Sequence, residues 1–136
     1  MKKILFILFT IIIIFVTIVF VRYLSYKDEY SQILRENAEY EQYKEKDIYG
    51  IELATLINKA IDQNTQNVES ENSNSIEIEI YLQDNEQTYK MEAFYNTGIQ
   101  QFIKYYGNIK FKCSKIEYNE KTGRIKYLLF EQNVTS

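Results

Sequence analysis

Residues 4–21 form an apolar run that constrains this chain more than any other feature. All eighteen positions, ILFILFTIIIIFVTIVFV, are uncharged, and only Thr10 and Thr17 are polar. As an α-helix rising about 1.5 Å per residue, the run would span roughly 27 Å, close to the ~30 Å hydrocarbon core of a bilayer. Because lipid offers the backbone no hydrogen-bond partners, a helix is the favoured structure. The run predicts contact with the lipid bilayer through residues 4–21.

The flanks of the run favour an uncleaved signal anchor. A cleaved signal peptide has an apolar stretch of about 7–15 residues and a small-residue cleavage site, whereas VRYLSYKDEY follows here. Lys2 and Lys3 precede the run, and the positive-inside rule favours a cytoplasmic N-terminus, by a narrow margin over Arg22 and Lys27 on the other side. We therefore expect residues 1–24 to be a single-pass membrane anchor and the C-terminal domain to be extracytoplasmic.

Polar residues in and beside the anchor predict two further features. Tyr23, Tyr26 and Tyr30 suit the far headgroup layer as an interfacial aromatic belt. Thr10 and Thr17 share a helix face, and their hydroxyls are expected to bond back to their own helix rather than to a partner helix.

The remaining pattern predicts an α+β domain. Residues 25–48 read as an amphipathic juxtamembrane helix that continues the anchor and packs on its own domain or, less favoured, on a second copy. Residues 49–136 form the extracytoplasmic domain, where IELATLINKAIDQN predicts a helix that buries Leu53 and Ile57. The expected order is α-α-ββ-α-ββ, with a mainly antiparallel four-stranded sheet.

Two hairpins and a short helix account for these later elements. SIEIEIYLQ alternates apolar and polar residues and pairs with QTYKMEAF across the turn Asp84–Glu86, which places Lys90 near Glu77 and Glu79. GIQQFIKYYG predicts a helix, and NIKFKCSKIEY with GRIKYLLFEQ predicts the second hairpin. A change of parity indicates a bulge near Ser114. In the last strand we expect Ile125, Tyr127 and Leu129 to point inward, with Leu128 and Phe130 on the other face.

The composition excludes most catalytic and metal chemistry. The chain has no His and one Cys, so it can assemble neither a Ser-His-Asp nor a Cys-His nucleophile, and it has no set of Cys ligands for a zinc cage. We expect no enzyme activity, no catalytic residues, no cofactor and no metal site, with Cys113 as an inert core residue. Gly positions match no phosphate-binding loop, and an extracytoplasmic location argues against nucleic acid.

Two acidic patterns leave weaker alternatives open. Glu77 and Glu79 would lie about 7 Å apart on one strand face, which is nominally compatible with a carboxylate-dependent hydrolase. Glu69 and Glu71 could join them to hold a divalent cation weakly. A solvated acidic surface is the preferred interpretation of both, and an EF-hand loop starting at Asp62 is excluded because its sixth and twelfth positions lack Gly and Glu.

Charge is segregated along the exposed part. Residues 27–92 contain six basic and sixteen acidic residues, a balance of −10, whereas residues 93–136 contain seven basic and three acidic, a balance of +4. The last hairpin is expected to gather Lys110, Lys112, Arg124 and Lys126 on one wet face, where lipid head groups, wall polymers or an acidic protein could bind. An ordinary solvated sheet face is the simpler interpretation.

Two stretches carry a resemblance. At YGIELATLINKAIDQN and FKCSKIEYNEKTGRIKYLLFEQ the chain resembles uncharacterised single-pass membrane proteins of low-GC Gram-positive bacteria. This resemblance implies no particular activity. Its architecture is also similar, distantly, to that of type IV pilin-like proteins: an apolar N-terminal helix, an amphipathic continuation and an antiparallel sheet. MKKILFILFT lacks the Gly-type processing site and the Glu of pilins, so only the architecture is comparable.

The sequence thus predicts a membrane-anchored, non-enzymatic extracytoplasmic binding or assembly protein, with a protein partner at the membrane. A pilin-like component of a secretion or surface-fibre system is the second hypothesis. A hydrolase that uses Glu77 and Glu79 is the third.

Overall fold

The computed structural model describes residues 1–67 and 74–134, so Glu69 and Glu71, the two carboxylates suggested for a weak cation site, lie outside the described residues. The chain divides into two compact units, Met1–Arg35 and Glu36–Ser136. The elements in chain order are α1 (Lys2–Glu41), β1 (Asp47–Tyr49), α2 (Gly50–Gln66), β2 (Glu77–Leu82), β3 (Gln87–Lys90), α3 (Met91–Thr97), α4 (Ile99–Tyr106), β4 (Lys110–Tyr118) and β5 (Ile125–Gln132). The α+β class is confirmed.

The sheet has five strands in the order β1-β4-β5-β2-β3. Neighbouring strands pair antiparallel except β2 and β5, which run parallel through the centre. The sheet is mainly antiparallel, as expected, but the predicted four strands and the order α-α-ββ-α-ββ are wrong, because β1 and α3 were not predicted and one strand pair is parallel. β1 is only three residues long and reads as part of the preceding helix, and β5 returns to pair beside β2 after a helical crossover.

Two element boundaries also differ from the prediction. α1 ends at Glu41 rather than near Asp47, and the chain then turns through Glu45, which has a positive φ of 57°. β3 ends at Lys90, and the residues from Met91 onward form helix α3 instead of continuing the strand. Met91 is fully buried, so its contribution to the core does not depend on the strand alternation that the sequence suggested.

The core lies between one face of the sheet and the helices. α2 buries Leu53, Ala54, Leu56, Ile57 and Ala60, which confirms the predicted apolar side. α4 contributes Phe102, whose ring centroid lies 6.0 Å from that of Phe111 on β4. The sheet supplies the other large buried side chains: Ile48, Ile78, Ile80, Leu82, Phe111, Cys113, Leu128 and Phe130.

The faces of β5 differ from the prediction. Ile125, Leu128 and Phe130 are buried, whereas Tyr127 and Leu129 are half-buried on the opposite face. The cause is a second register shift, between Glu117, paired with Tyr127, and Tyr118, paired with Ile125, which makes Lys126 an extra residue in β5. The predicted bulge at Ser114 is confirmed by the shift between Cys113 and Lys115.

The last turn of α1 belongs to the second unit and is held there by polar contacts. The side-chain amide of Asn37 donates to the carbonyl of Gly123 at 2.8 Å, and its oxygen accepts from the backbone amide of Ile125 at 3.0 Å. Tyr40 is buried, and its hydroxyl donates to Gln63 at 2.8 Å. These contacts fix residues 36–41 against α2 and the β4–β5 hairpin.

Candidate functional site

The N-terminal part of α1 is long and apolar enough to cross a membrane. Its apolar residues between Ile4 and Val21 are all exposed in the unit Met1–Arg35. A continuous exposed apolar surface of this size is unfavourable in water, whereas in lipid it is matched by the hydrocarbon core. The length and apolar surface of this unit are compatible with a membrane anchor or a signal segment.

The polar residues of this helix behave as the sequence suggested. The Thr10 hydroxyl donates to the carbonyl of Phe6 at 2.9 Å, and the Thr17 hydroxyl donates to that of Ile13 at 2.8 Å. Both hydroxyls therefore bond back to their own helix. Tyr23, Tyr26 and Tyr30 are exposed, and the rings of Tyr26 and Tyr30 stack with centroids 6.5 Å apart. Their role as an interfacial belt stays a prediction.

The second candidate is the face of the sheet opposite the helices, which we term the open face. Its side chains are exposed or half-buried, and the strand register arranges them in rows. One row holds Glu117, Tyr127 and Glu77, and the next Lys115, Leu129, Glu79 and Lys90. A third row holds Asp47, Lys112, Glu131, Tyr81 and Thr88. A fourth row holds Tyr49 of β1 and Lys110 of β4.

In the first two rows of the open face, the charged side chains pair with one another or with Tyr127. Lys90 forms an ion pair with Glu77 at 2.9 Å, as the predicted hairpin implied. The Tyr127 hydroxyl donates to Glu79 at 2.7 Å, and burial, followed by this bond, raises the pKa of Tyr127 above its usual range. Glu77 and Glu79 therefore each have a partner within the sheet face. Lys115 likewise pairs with Glu117 at 2.7 Å.

The structure separates the four cations predicted to share one face. Arg124 is ion-paired with Glu36 and its side chain is only 18% exposed, so it holds the α1 end and does not join the open face. Lys126 is the bulged residue near Glu117, at the opposite end of β5 from the remaining pair. Lys110 and Lys112 do lie together on β4, and both are exposed. The expected four-residue cluster is thus reduced to two neighbours.

Two open hollows flank the end of β5 beside these lysines. The first has a volume of about 520 Å³ and is lined by Tyr49, Asn108, Ile109, Lys110, Gln132, Asn133 and Val134. The second has a volume of about 390 Å³ and is lined by Tyr81, Gln83, Lys112, Glu131, Gln132 and Asn133. Both volumes fall within the range of ligand pockets, although these hollows are open to solvent.

The two hollows differ in their electrostatics. The first, which we term the Lys110 hollow, has Lys110 as the only charged side chain among the described residues that line it. The Lys110 ammonium lies 5.8 Å from the centroid of the Tyr49 ring, a cation–π distance. In the second, Lys112 is flanked across the sheet by Asp47 and Glu131. Among the described residues neither lysine forms an ion pair, but Lys112 has two carboxylates as its strand partners, whereas the strand partner of Lys110 on β1 is Tyr49.

Gln132 and Asn133 line both hollows, and their side chains are held by hydrogen bonds. Gln132 is 5% exposed, and its side-chain oxygen accepts from the backbone amide of Gln83 at 3.0 Å. The Asn133 amide donates to Asp47 at 3.1 Å, and its backbone amide donates to the carbonyl of Lys110 at 2.8 Å. The carboxylate of Asp47 is therefore turned towards Asn133.

Sequence reasoning did not find the non-lysine part of this site. Tyr49 and Asp47 lie on β1, which the hydrophobic pattern did not identify. Gln132 was predicted only as the last residue of the second hairpin, and Asn133 was assigned to no element. The one sequence indication of β1 was Tyr49-Gly50, which interrupts two helical patterns. Such a break leaves room for a short strand between two helices.

Cys113 confirms the expectation of a core residue. It is fully buried, and burial raises the pKa of its thiol to about 11, with the Sγ donating to the carbonyl of Lys115 at 3.7 Å. Such a thiol stays protonated at neutral pH and is a poor nucleophile. Within residues 1–67 and 74–134, no three His, Cys, Asp or Glu side chains are arranged to hold a metal ion.

Comparisons with known proteins add no assignment: no protein-family model, no curated protein and no solved structure matches the chain.

Proposed function

We propose that this chain is a single-pass, membrane-anchored, non-enzymatic binding protein whose extracytoplasmic domain docks an anionic partner at the Lys110 hollow. The observation that carries the proposal is the position of Lys110, an exposed cation in a concave part of the open face where the described lining residues include no carboxylate. A partner carboxylate placed there would meet positive charge without displacing an existing ion pair. The exposed apolar helix supplies the anchor.

The neighbouring Lys112 offers a matched comparison within the same strand. Lys110 and Lys112 are two residues apart on β4, and both are exposed. Each is paired with a residue of β1. They differ in their strand partners, because Asp47 and Glu131 are paired with Lys112, whereas Tyr49 is paired with Lys110. Repulsion from these carboxylates offsets the attraction of Lys112 for an anion. Lys110 is therefore the residue on which anion binding should depend most.

The test uses the full chain in nanodiscs of neutral phosphatidylcholine, with fluorescent poly-L-glutamate as the probe at low salt. We expect binding that Lys110→Gln weakens by roughly three- to ten-fold, with a smaller loss for Lys112→Gln and none for the distant exposed Lys121→Gln. Equal losses for all three variants would indicate non-specific attraction to net charge. Absence of binding by the unmodified chain would reject the proposal.

The proposed compartment rests on the lysines before the apolar run. A reporter that is active only in the cytoplasm, fused after Ser136, should be silent, whereas a reporter that needs an oxidising compartment should be active. The reverse pattern would place the domain in the cytoplasm and would make soluble cytosolic partners available to the hollow.

A pilin-like role is the second candidate, since α1 continues from its apolar part to Glu41 as one helix. Copurification of a transport ATPase or of fibre subunits with the native protein would favour it over simple anchored binding. A hydrolase is less well supported, because Glu77 is ion-paired with Lys90 and Glu79 accepts from Tyr127. Replacing both carboxylates with Gln should leave partner binding unchanged.

A further inference from the structure

The Lys110 hollow combines one cation with exposed apolar side chains. Tyr49 is 46% exposed and Val134 is 59% exposed, and both line the hollow together with half-buried Ile109. Ile51, the second residue of α2, is also exposed next to this edge of the domain. An anion that needed only charge, such as a free phosphate, would leave these apolar surfaces in water.

The apolar side chains are organised around the charge. The ammonium of Lys110 lies 5.8 Å from the centroid of the Tyr49 ring, and both residues line the hollow. Val134 follows Asn133, whose backbone amide is hydrogen-bonded to the carbonyl of Lys110. Lys110 thus lines the hollow together with two exposed apolar residues, Tyr49 on β1 and Val134 after the end of β5. A complementary ligand would present a carboxylate with apolar groups directly beside it.

A protein segment has this mixture, since acidic and apolar side chains can alternate within a few residues. Lipid head groups offer charge at a plane, and anionic polymers offer repeated charge without apolar side chains. We propose that the occupant of the Lys110 hollow is an acidic segment of a partner protein, with a carboxylate at Lys110 and adjacent apolar side chains on Tyr49 and Val134. This inference rests on the proposed function and specifies its partner.

The decisive comparison uses two peptides of equal charge and length. One contains the sequence Gly-Glu-Val-Val-Glu-Gly and the other Gly-Glu-Ser-Ser-Glu-Gly, both with blocked ends and a fluorescent label. The full chain in neutral nanodiscs should bind the valine peptide roughly five-fold more tightly, because only that peptide buries apolar surface on Tyr49 and Val134. Lys110→Gln should weaken both peptides.

The apolar contribution has its own variants. Val134→Ser should remove most of the preference for the valine peptide while leaving the affinity for the serine peptide within two-fold. Tyr49→Ser should act in the same direction, and far-UV circular dichroism with a urea melt checks that each variant is folded. Val134 is the primary test, because it follows the last strand and its loss leaves the sheet pairing intact.

The outcomes separate this inference from the proposed function. Equal affinity for the two peptides, with both weakened by Lys110→Gln, overturns the inference and keeps an anion-binding function. Binding to phosphatidylglycerol vesicles that Lys110→Gln and Lys112→Gln weaken equally, with no peptide preference, makes lipid the occupant and also overturns it. Binding of neither peptide nor of poly-L-glutamate rejects both proposals.

Discussion

The backbone amide of Ile125 donates a hydrogen bond to the side chain of Asn37 at 3.0 Å, across 88 positions of the sequence. The same side chain donates to the carbonyl of Gly123 at 2.8 Å, so one buried amide meets both backbone groups that flank Arg124. Arg124 in turn is ion-paired with Glu36, the residue before Asn37. Two adjacent residues of α1 thereby hold the start of β5, and these contacts fix the register in which β5 enters the sheet.

Replacing Asn37 should destabilise the domain. Asn37 is 7% exposed, and Asn37→Ala would leave the buried amide of Ile125 without its acceptor. An unsatisfied buried group costs about 1–3 kcal/mol, so we expect the free energy of unfolding in urea to fall by that amount. Asn96→Ala, at an exposed position of α3, serves as the control and should change it by less than about 0.5 kcal/mol. An effect of Asn37→Ala as small as the control would contradict this role.

Gly50 should not tolerate even a methyl group. A Cβ at this position would lie 1.9 Å from the carbonyl oxygen of Tyr106, a backbone atom that is fixed at the end of α4. The clash arises from close approach, because Gly50 does not have a positive φ. We expect Gly50→Ala to lower the free energy of unfolding by about 3 kcal/mol. Thr55→Ala, on the exposed side of the same helix, should be nearly neutral; similar losses for both would refute the steric argument.

The local pattern of apolar and polar residues predicted most helices and strands of this fold. It did not predict which distant strands pair with each other. The alternation in β2 and the apolar spacing in α2 are set by the residues themselves, so both could be read directly. The parallel pairing of β2 with β5 depends on the crossover that joins them, which leaves no local signature. Tyr127 and Leu129 lie on the strand face opposite to the predicted one. The reason is that Lys126 is an extra residue in β5, and a shift by one position exchanges the two faces of a strand.

The candidate site shows the same limit. Lys110 and Lys112 were recognised because they alternate with Phe111 and Cys113, which makes them neighbours on the outer side of one strand. Arg124 was misplaced, since its partner Glu36 comes from a helix almost ninety positions earlier. Sequence charge alone also did not distinguish Lys110 from Lys112. That distinction depends on Asp47 and Glu131, which only the strand register brings beside Lys112.

Stability should fall in alkaline solution because of Cys113. Burial raises the pKa of this thiol to about 11, above its ordinary value of 9.0. Between these values the unfolded chain loses its thiol proton while the folded chain keeps it, so the free energy of unfolding decreases as the pH rises from 9 to 11. Urea melts across this range should show a steeper decline for the unmodified chain than for Cys113→Ala, in which all lysines and tyrosines still titrate. Parallel declines would exclude a contribution from Cys113.

The same burial predicts how Cys113 reacts. At pH 8 the native chain should resist iodoacetamide, and urea that unfolds the domain should make labelling fast, because the unfolded thiol ionises near its ordinary pKa. Rapid labelling of the native chain would show that the thiol is accessible.

An uncleaved anchor predicts that residues 4–21 and the domain remain in one polypeptide. Mass spectrometry of the membrane fraction should recover peptides from residues 4–21 together with those from 99–134, and alkaline carbonate should not release either set. A cleaved signal peptide predicts the domain peptides alone, in the soluble extracytoplasmic fraction.

The hydrophobicity of the run can be tested directly. Replacing Ile11, Ile12, Ile13 and Ile14 with Ser in one variant should reduce membrane insertion and shift the full-length chain out of the membrane fraction, because it interrupts the apolar run without adding charge. As a matched control, replacing the same four residues with Leu should leave membrane retention unchanged. Release of the Leu variant would mean that the identity of these residues, rather than their hydrophobicity, holds the chain in the membrane.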